Sequence, residues 1–383
     1  MARGHTVESW CPASADQTYL PLSDIIPEHV VPSEANAGRW PRRVRDVLAL
    51  RTYNMCRMAE IEASCRRAAE AINRGHFDVL FANTSLHMAI GPIGRYVRLP
   101  SVFYLQEPSR WLYEARPSLI WAGDPADERS AWTPGELYRS MRAAFQVRGY
   151  RFQARAEWRN SRAFRRILVN SRFSRETVLG TYGLNASVCY LGVDTEKFVR
   201  CAVPREDVVV GVGTIAPRKN VQLVIEALAC LPHPRPRLRW IGDDSAPEYL
   251  AQLNQLARER QVDFTPAVRV SDEVLIAALS GAAMMVSAAR LEPFGLAPLE
   301  ANACGLPVVA VAEGGVRETI QDGVNGILVE HDLEALAGAI QYLRTHPDEA
   351  ARMGEAGARL VAERWSATAA VGRLEQHLQA VIV

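Results

Sequence analysis

One segment, residues 289–330, constrains the fold of this chain more than any other part of the sequence. A strand-like run, AMMVSAA, precedes two glutamates, Glu292 and Glu300, which lie eight positions apart with Pro-Phe-Gly between them. Gly305 and Pro307 then form a helix stop, and a second strand-like run, PVVAVA, follows. We therefore predict a strand–loop–helix–strand unit of a buried parallel sheet.

The helix of this unit is predicted to begin near Phe294 or Gly295, with Pro298 in its first turn, where a missing N–H costs nothing. The N–H groups of Phe294, Gly295 and Leu296 are then free to bind an anion, because a helix N-terminus carries about +0.5 of an elementary charge. Each flanking glutamate can accept two hydrogen bonds from a vicinal diol. An anion site between two diol-binding carboxylates indicates a nucleotide-sugar. The alternative is that two glutamates at this spacing lie on a solvated helix face.

A second turn, between the strand-like run that ends at Gly213 and a helix predicted to start near Asn220, carries Arg218 and Lys219. Both cations can reach a diphosphate from there, so we expect them to stabilise the charge on a leaving nucleoside diphosphate without a metal ion. Lysine occurs only twice in a chain that otherwise uses arginine, which favours a requirement for a compact ammonium at Lys219. The alternative is an ordinary basic loop.

The order of apolar and helical runs predicts an α/β chain with doubly wound parallel sheets. Strand-like runs in the first half are DVLFAN, SVFYLQ, RILVNS and SVCYLG, and those in the second half are DVVVGVG, LRWIGD, AMMVSA, VVAVA and GILVE. The series is interrupted between Phe198 and Pro204. We therefore predict an N-terminal domain over 1–198, a C-terminal domain over 199–365 and a final helix over 366–383, with the ligand outside the carboxyl ends of the strands.

The net charge of +1 conceals an asymmetry between the two halves. Residues 1–200 hold 28 basic and 20 acidic side chains, whereas residues 201–383 hold 16 and 23. Much of the basic excess lies in 136–166, where nine arginines and two glutamates are interleaved with aromatic residues. One interpretation is peripheral attachment to an anionic membrane. A basic solvent face on a long helix is the plainer alternative, and nucleic acid is not expected, because no nucleic-acid module is recognisable.

At these motifs the chain resembles the retaining glycosyltransferases of family 4, of the "glycosyl transferases group 1" type, which have the two-domain GT-B fold. The resemblance is nearly continuous in the C-terminal half and looser in the N-terminal half. The segments that carry it are FDVLFANTS, LPSVFYLQEPSRWLYEA, ILVNSRFSRETV, YLGVDTEKF, VGVGTIAPRKNVQLVIEAL, LRWIGDD, SDEVLIAALSGAAMMVSAA and the stretch 289–330.

The resemblance implies roles in binding the donor. It places Glu292 on the donor sugar, Glu300 on the ribose, and the backbone of Phe294, Gly295 and Leu296 on the sugar and phosphate. Catalytic roles are implied for Arg218, Lys219 and Glu292. Further donor-binding positions implied in this way are Gly213, Thr214 and, near the base, Val268.

Two departures from the family pattern bear on the site. Thr214 stands where many members have an arginine, and we expect Arg218 to supply the missing cation. Gln106 stands where the family often has a histidine facing the donor sugar, and it can donate a hydrogen bond but carries no charge. We expect Gln106, Glu107 and Arg110 on the acceptor or sugar side, although Glu107 and Arg110 could equally form local ion pairs that hold the loop.

The start of the chain also differs from the family pattern. In the family, the segment that resembles ARGHTVESW ends the first helix and begins the second strand. The first strand and its glycine-rich loop are therefore expected upstream of residue 1, so that the N-terminal domain would lack them here. The final helix, 366–383, is implied to cross back to the N-terminal domain.

The resemblance implies an enzyme that moves a hexose from a nucleoside diphosphate-sugar to a hydroxyl acceptor, such as a glycan, a lipid-linked saccharide or a small molecule. No cofactor and no metal are expected. Seven cysteines without a C-x-x-C pair predict free thiols and a cytoplasmic location, with attachment to the inner face of a membrane as an option. The alternatives are an inactive nucleotide-sugar-binding partner subunit and another GT-B enzyme, such as a nucleotide-sugar epimerase.

Overall fold

The computed structural model describes residues 3–15, 22–32, 53–85, 88–113 and 134–382, apart from the side chains of 53–54, 111 and 134–146. The chain divides into two compact units. The first comprises Met1–Leu168, Thr177–Ser187 and Leu378–Val383, and the second comprises Val169–Glu176 and Val188–His377.

Two parallel sheets occur in the N-terminal part of the chain. Strands β1 (Ser9–Pro12) and β2 (Glu28–Val31) pair with each other. Strands β3 (Leu80–Asn83), β4 (Ser101–Tyr104), β5 (Arg166–Val169) and β6 (Ser187–Val188) form a second sheet in that order. The helices are α1 (Tyr53–Arg74), α2 (Arg110–Tyr113), α3 (Pro134–Ser161) and α4 (Arg172–Tyr182). The four strand-like runs predicted for the first half are confirmed as β3 to β6.

A six-stranded parallel sheet with the order β12-β11-β10-β7-β8-β9 lies in the second unit. Its strands are β7 (Val208–Val212), β8 (Arg237–Gly242), β9 (Phe264–Val268), β10 (Met284–Ser287), β11 (Val308–Val311) and β12 (Gly326–Val329). The helices are α5 (Val221–Ala229), α6 (Pro247–Glu259), α7 (Asp272–Gly281), α8 (Leu296–Ala303), α9 (Val316–Thr319), α10 (Leu333–Thr345), α11 (Pro347–Arg364) and α12 (Ala367–Ile382).

Hydrophobic cores on both faces hold this sheet in place. Successive residues of a strand point to opposite faces, so Val209 and Val286 enter one core and their neighbours Val210 and Met285 enter the other. Strands buried on both sides must be apolar at nearly every position, which explains the runs VVVGV, MMVS and VVAV. The carboxyl ends of these strands therefore form one sheet edge on a rigid base.

Strand β9 was not predicted from the sequence. Its residues, FTPAV, include Pro266, which removes a backbone donor and lowers the strand signal. The strand lies at the edge of the sheet next to β8, and an edge strand tolerates proline because one side of its backbone needs no partner.

Helix α3 has an unusual distribution of polar residues. Its Glu157 is fully buried and accepts hydrogen bonds from the backbone of Ala89 and the side chains of Ser109, Gln153 and Tyr182. Burial raises the pKa of this carboxyl, while the bonds from Gln153 and Ala89 oppose the rise. Acidic and uncharged polar side chains of α3 therefore pack inward, and its arginines between 147 and 161 lie on the exposed face. In the described part of the chain, no helix has the length and apolar character needed to span a membrane.

Candidate functional site

The loop between β10 and α8, residues 288–295, contains the Pro-Phe-Gly turn and is called the donor loop below. Helix α8 begins at Leu296, one to two residues later than predicted, because Gly295 adopts a left-handed conformation with φ of 97° and serves as the N-cap. Pro298 lies in the first turn, as predicted. No side chain caps this helix, so its first N–H groups keep their hydrogen-bonding capacity toward a ligand.

Gly314 and Gly315 pack directly against the backbone of the donor loop. The N–H of Gly315 donates to the carbonyl of Glu292 at 2.7 Å. A Cβ atom at Gly314 would stand 2.3 Å from the carbonyl oxygen of Glu292, and one at Gly315 would stand 2.1 Å from that of Pro293. The loop therefore crosses directly over the glycine pair, and its path depends on the absence of side chains there.

The structure joins the two elements that the sequence placed in separate turns. Lys219 ends a short 3-10 turn, and its Nζ lies 2.6 Å from an Oε of Glu292, with both side chains at least four-fifths buried. The backbone N–H of Arg290 donates to the carbonyl of Arg218 at 3.0 Å. A Cβ atom at Gly213, whose φ is 139°, would lie 3.1 Å from the Lys219 side chain. The turn and the donor loop thus form one cluster, although the pairing of Lys219 with Glu292 was not predicted.

Glu300 lies on α8 in a different environment. Burial raises the pKa of its carboxyl, Lys197 opposes this rise, and Asp272 adds to it. Lys197 itself forms an ion pair with Asp272. Among the described residues, no group donates a hydrogen bond to the Glu300 carboxylate. Its oxygens are therefore available to hydroxyl groups of a ligand.

The remaining predicted donor residues differ in what their side chains can offer. The Thr214 hydroxyl donates to Asp243 at 2.7 Å, so it already has a partner. Phe294 is buried against Tyr190 and Trp365, which leaves its backbone as the part that could contact a ligand. Val268, at the end of β9, and Leu296 are both more than one-third exposed. Roles for these residues in binding a donor stay predictions.

The predicted acceptor-side residues lie in the first unit. Gln106 is exposed at the end of β4. Glu107 and Arg110 form an ion pair with an O–N distance of 2.7 Å, which is the loop-holding arrangement that the sequence left open as the alternative. Ser109, in the same loop, donates to buried Glu157 at 3.2 Å. The Glu107–Arg110 ion pair and the hydrogen bond from Ser109 therefore hold the loop in place. Gln106 is left as its exposed polar residue.

Two further residues make contacts around the donor loop and were not predicted as site residues. The Ser171 hydroxyl donates to the carbonyl of Pro293 at 2.5 Å. Glu318 accepts hydrogen bonds from the N–H groups of Arg172 and Phe173, at the start of α4, and from the Tyr190 hydroxyl. Because these partners are more than a hundred residues apart in sequence, no local pattern could reveal the contacts.

The chain is similar to known proteins in sequence over its C-terminal part and in fold over nearly its whole length. Residues 193–360 match the family model for glycosyl transferases group 1. The D-inositol 3-phosphate glycosyltransferase of Mycobacterium sp. (strain KMS) is 34% identical over 196 residues, which cover 46% of this chain and 44% of that protein. A GDP-mannose-dependent alpha-(1-6)-phosphatidylinositol monomannoside mannosyltransferase of Mycolicibacterium smegmatis is 30% identical over 224 residues, 51% of this chain and 57% of that protein. The chain therefore spans about half the length of the curated relatives it matches.

Solved structures match nearly the whole chain. HepE of Anabaena, in complex with UDP and glucose, superimposes with a TM-score of 0.67 and 19% identity over 94% of this chain and 88% of that one. Sucrose-phosphate synthase from Thermosynechococcus elongatus gives 0.70 and 20% identity over 99% and 90%. These likenesses confirm the predicted GT-B fold.

Proposed function

We propose that this chain, whose residues 193–360 belong to the glycosyl transferases group 1 family, transfers a hexose from a nucleoside diphosphate-sugar to a hydroxyl acceptor. The observation that carries the proposal is the cluster of Lys219, Glu292 and the Arg218 backbone at the uncapped start of α8. It offers an ammonium and free N–H groups for a diphosphate beside a carboxylate for sugar hydroxyls.

Each part of the donor has a counterpart among these residues. Arg218, Lys219 and the N-terminus of α8 would bind the diphosphate, Glu292 the hexose and Glu300 the ribose diol. Because these groups already supply positive charge, we propose that the reaction needs no metal ion and no cofactor. The named relatives use or bind different nucleotides, so UDP- and GDP-sugars are both candidate donors.

We further propose that transfer retains the configuration of the sugar. The bond between the sugar's anomeric carbon and the leaving phosphate oxygen breaks, and a bond to the acceptor oxygen forms on the same face. The acceptor hydroxyl gives its proton to the leaving phosphate, and Arg218 and Lys219 stabilise the charge on that phosphate. We assign Gln106, Glu107 and Arg110 to the side of the acceptor or transferred sugar.

The assignment of Glu300 is tested by a thermal-shift screen with UDP-glucose, GDP-mannose and ADP-glucose. We expect one of these donors to raise the melting temperature of the wild type and to bind Glu300→Ala at least about tenfold more weakly, because hydrogen bonds to a charged group contribute about 1.5–3 kcal/mol. Glu355→Ala, an exposed helix position, is the matched control. Equal stabilisation of wild type and Glu300→Ala would refute the ribose role.

The raised pKa of Glu300 also predicts how donor affinity depends on pH. A carboxyl whose pKa is raised by burial loses its charge at a higher pH than an ordinary glutamate. The protonated form accepts hydrogen bonds less well, so donor affinity is expected to fall as the pH decreases through this raised pKa. Glu300→Gln should bind the donor more weakly and without this pH dependence.

An inactive nucleotide-sugar-binding subunit remains the second candidate, since the Thr214 hydroxyl is bonded to Asp243 where many family members have an arginine. The two functions are distinguished by measuring the release of nucleoside diphosphate from whichever donor binds. Turnover supports transfer or donor hydrolysis. Tight binding without any release, with all candidate acceptors, supports the inactive subunit.

We also propose that the chain works in the cytoplasm and that α3 attaches it to an anionic membrane. Every exposed residue of α3 between 147 and 161 is an arginine or an aromatic residue. These are Arg148, Arg151, Phe152, Arg155, Trp158 and Arg159. Phe152 and Trp158 are 45% and 51% exposed. The predicted basic segment also includes residues 136–146, whose side chains lie outside the described residues.

This face has the chemistry of a surface that binds lipid headgroups. Arginines attract the headgroup charge, and exposed aromatic rings favour the interface between water and lipid. Arg155, Trp158 and Arg159 also line a cavity of 430 Å³ together with Tyr113 and Ala154. The only acidic residue in this part of the helix, Glu157, is buried, so it does not repel an anionic surface.

Reversing two charges on this face should release the protein from vesicles. Because each basic residue near the surface contributes about 1 kcal/mol, Arg155→Glu with Arg159→Glu should lower binding to phosphatidylglycerol vesicles about 30-fold or more. The control reverses Arg258 and Arg359, two exposed arginines of the second unit. Equal sedimentation of both double variants with vesicles would show that α3 has only a basic solvent face.

A further inference from the structure

The first turn of α4 lies against the donor loop. Its N-cap residue, Ser171, is fully buried, and its hydroxyl has two roles. The oxygen accepts a hydrogen bond from the N–H of Ser174 at 2.9 Å, which is the bond expected of a helix cap. The hydroxyl also donates to the carbonyl of Pro293 at 2.5 Å. Capping requires only the first of these bonds, so the second specifically ties the donor loop to the start of the helix.

Glu318, in α9, binds the same helix start through its carboxylate. One oxygen accepts a hydrogen bond from the N–H of Arg172 at 3.0 Å, and the other accepts one from the N–H of Phe173 at 3.1 Å. The first N–H groups of a helix have no partner inside it, and a negative charge beside them also interacts favourably with the helix dipole. The N–H of Glu318 donates to the carbonyl of Gly315, which packs against the donor loop. Glu318 therefore connects the helix start to the donor loop by a second route, independent of Ser171.

Tyr190 connects this carboxylate to the aromatic side chain of the donor loop. Its hydroxyl donates to Glu318 at 2.8 Å, and the centroid of its ring lies 6.2 Å from that of Phe294. The ring of Trp365 packs against both, at 5.1 Å from Tyr190 and 5.7 Å from Phe294. Burial raises the pKa of the Tyr190 hydroxyl, and Glu318 adds to the rise while Arg172 opposes it. The hydroxyl therefore stays protonated at neutral pH and can donate its hydrogen bond.

These contacts, all of them within the second unit, converge on Pro293 and Phe294. The two residues lie between the glutamates of the candidate site, Glu292 and Glu300, and directly precede the N-cap, Gly295. The direction of the uncapped N–H groups at the start of α8 therefore depends on how Pro293 and Phe294 are held. Donors of this kind bind an anion well only when they are fixed in advance and point at it together.

We propose that Ser171, Tyr190 and Glu318 are positioning residues of the donor site, which fix the N–H groups at the start of α8 in the orientation that binds the diphosphate. This rests on the proposed function, in which the start of α8 binds the diphosphate. The three residues act through Pro293 and Phe294. Their loss should therefore weaken the binding of phosphate groups and leave the binding of the base and ribose unchanged.

Three substitutions remove these contacts one at a time. Ser171→Ala removes the bond to Pro293 together with the helix cap. Tyr190→Phe removes a single hydroxyl and keeps the packing of the ring. Glu318→Gln leaves one acceptor oxygen where the carboxylate has two, so the bonds to the helix start cannot both be kept.

Two matched controls lie in the same unit, away from the donor loop. Asp332→Ala removes the cap of α10, which is formed by a hydrogen bond from the N–H of Ala335 at 2.8 Å. Tyr249→Phe removes the hydroxyl of a half-buried tyrosine in α6. A lower melting temperature of a control shows the effect that loss of a cap or of a hydroxyl has on stability alone.

Calorimetric titration with UDP, GDP and ADP, and with the corresponding nucleosides at high concentration, separates the phosphate groups from the base and ribose. We expect each of the three variants to bind the diphosphate that the wild type binds about fivefold more weakly, which corresponds to the net loss of one hydrogen bond. Affinity for the nucleoside should equal that of the wild type. Both controls should bind both ligands like the wild type, even where their melting temperatures are lower.

Each residue is judged by its own variant. A variant that binds the diphosphate like the wild type overturns the positioning role of that residue. Equal losses of affinity for the diphosphate and the nucleoside also overturn it, because the change would then concern the fold of the unit and not the N–H groups. Both results leave the proposed function intact, since the wild type still binds a nucleoside diphosphate. A wild type that binds none of the three diphosphates overturns the proposed function and, with it, the positioning roles.

Discussion

Replacing Lys219 with alanine is expected to lower the rate of sugar transfer by at least about 100-fold, which is the range observed when a group that stabilises transition-state charge is removed. Its ammonium lies 2.6 Å from the Glu292 carboxylate, and both side chains are largely buried. In the proposed role, its loss deprives the leaving diphosphate of a cation, and the substitution also makes Glu292 a buried carboxylate without its partner. The measurement is the release of nucleoside diphosphate in the presence of the acceptor, at saturating donor.

Lys219→Arg distinguishes charge from geometry. The lysine side chain runs close to Gly213, where even a Cβ would stand 3.1 Å away, so a bulkier guanidinium fits poorly. We expect this variant to recover only part of the activity. Arg237→Ala, which breaks the exposed ion pair with Glu206, is the control and should be fully active. If Lys219→Ala keeps more than about one-third of wild-type activity, the role of Lys219 in stabilising the leaving group is wrong.

The sequence predicted most of the second unit because its strands are buried on both faces and its helix boundaries carry glycine and proline. The helix begins at Leu296, one to two residues later than predicted, because Gly295 is a left-handed N-cap. A glycine in the sequence can adopt this conformation but does not have to, so the sequence alone could not predict it. Strand β9 was not predicted because its sequence, FTPAV, contains Pro266. A proline marks either a loop or an edge strand, and only the neighbouring strand decides which.

For the candidate site, the sequence singled out Lys219 and Glu292 as separate contacts with a ligand, and those roles stay predictions. Their pairing depends on how the donor loop crosses Gly314 and Gly315, which is a property of the packed sheet edge. Ser171 and Glu318 were missed because a serine or glutamate has many ordinary uses. Only the structure shows that Ser171 donates to the carbonyl of Pro293.

Two glycine-to-alanine substitutions in the same unit should have opposite effects on stability. At Gly315 the new Cβ would meet the Pro293 oxygen at 2.1 Å and the Phe294 Cα at 2.8 Å, both of them backbone atoms that cannot rotate away. The donor loop must shift, so we expect Gly315→Ala to cost about 1–3 kcal/mol, the range typical of overpacking. The shift also moves Glu292 relative to Lys219, and donor affinity should fall with it.

Gly338, on the exposed face of α10, is the matched control because a Cβ atom placed there would meet no other atom within 4 Å. There alanine should stabilise the unit by about 0.5–1 kcal/mol through the lower entropy of the unfolded chain and should leave donor affinity unchanged. Melting temperatures and donor titrations of the two variants make the comparison. If Gly315→Ala is as stable as Gly338→Ala and binds the donor equally well, the loop can move without loss, and the glycine pair does not set the position of Glu292.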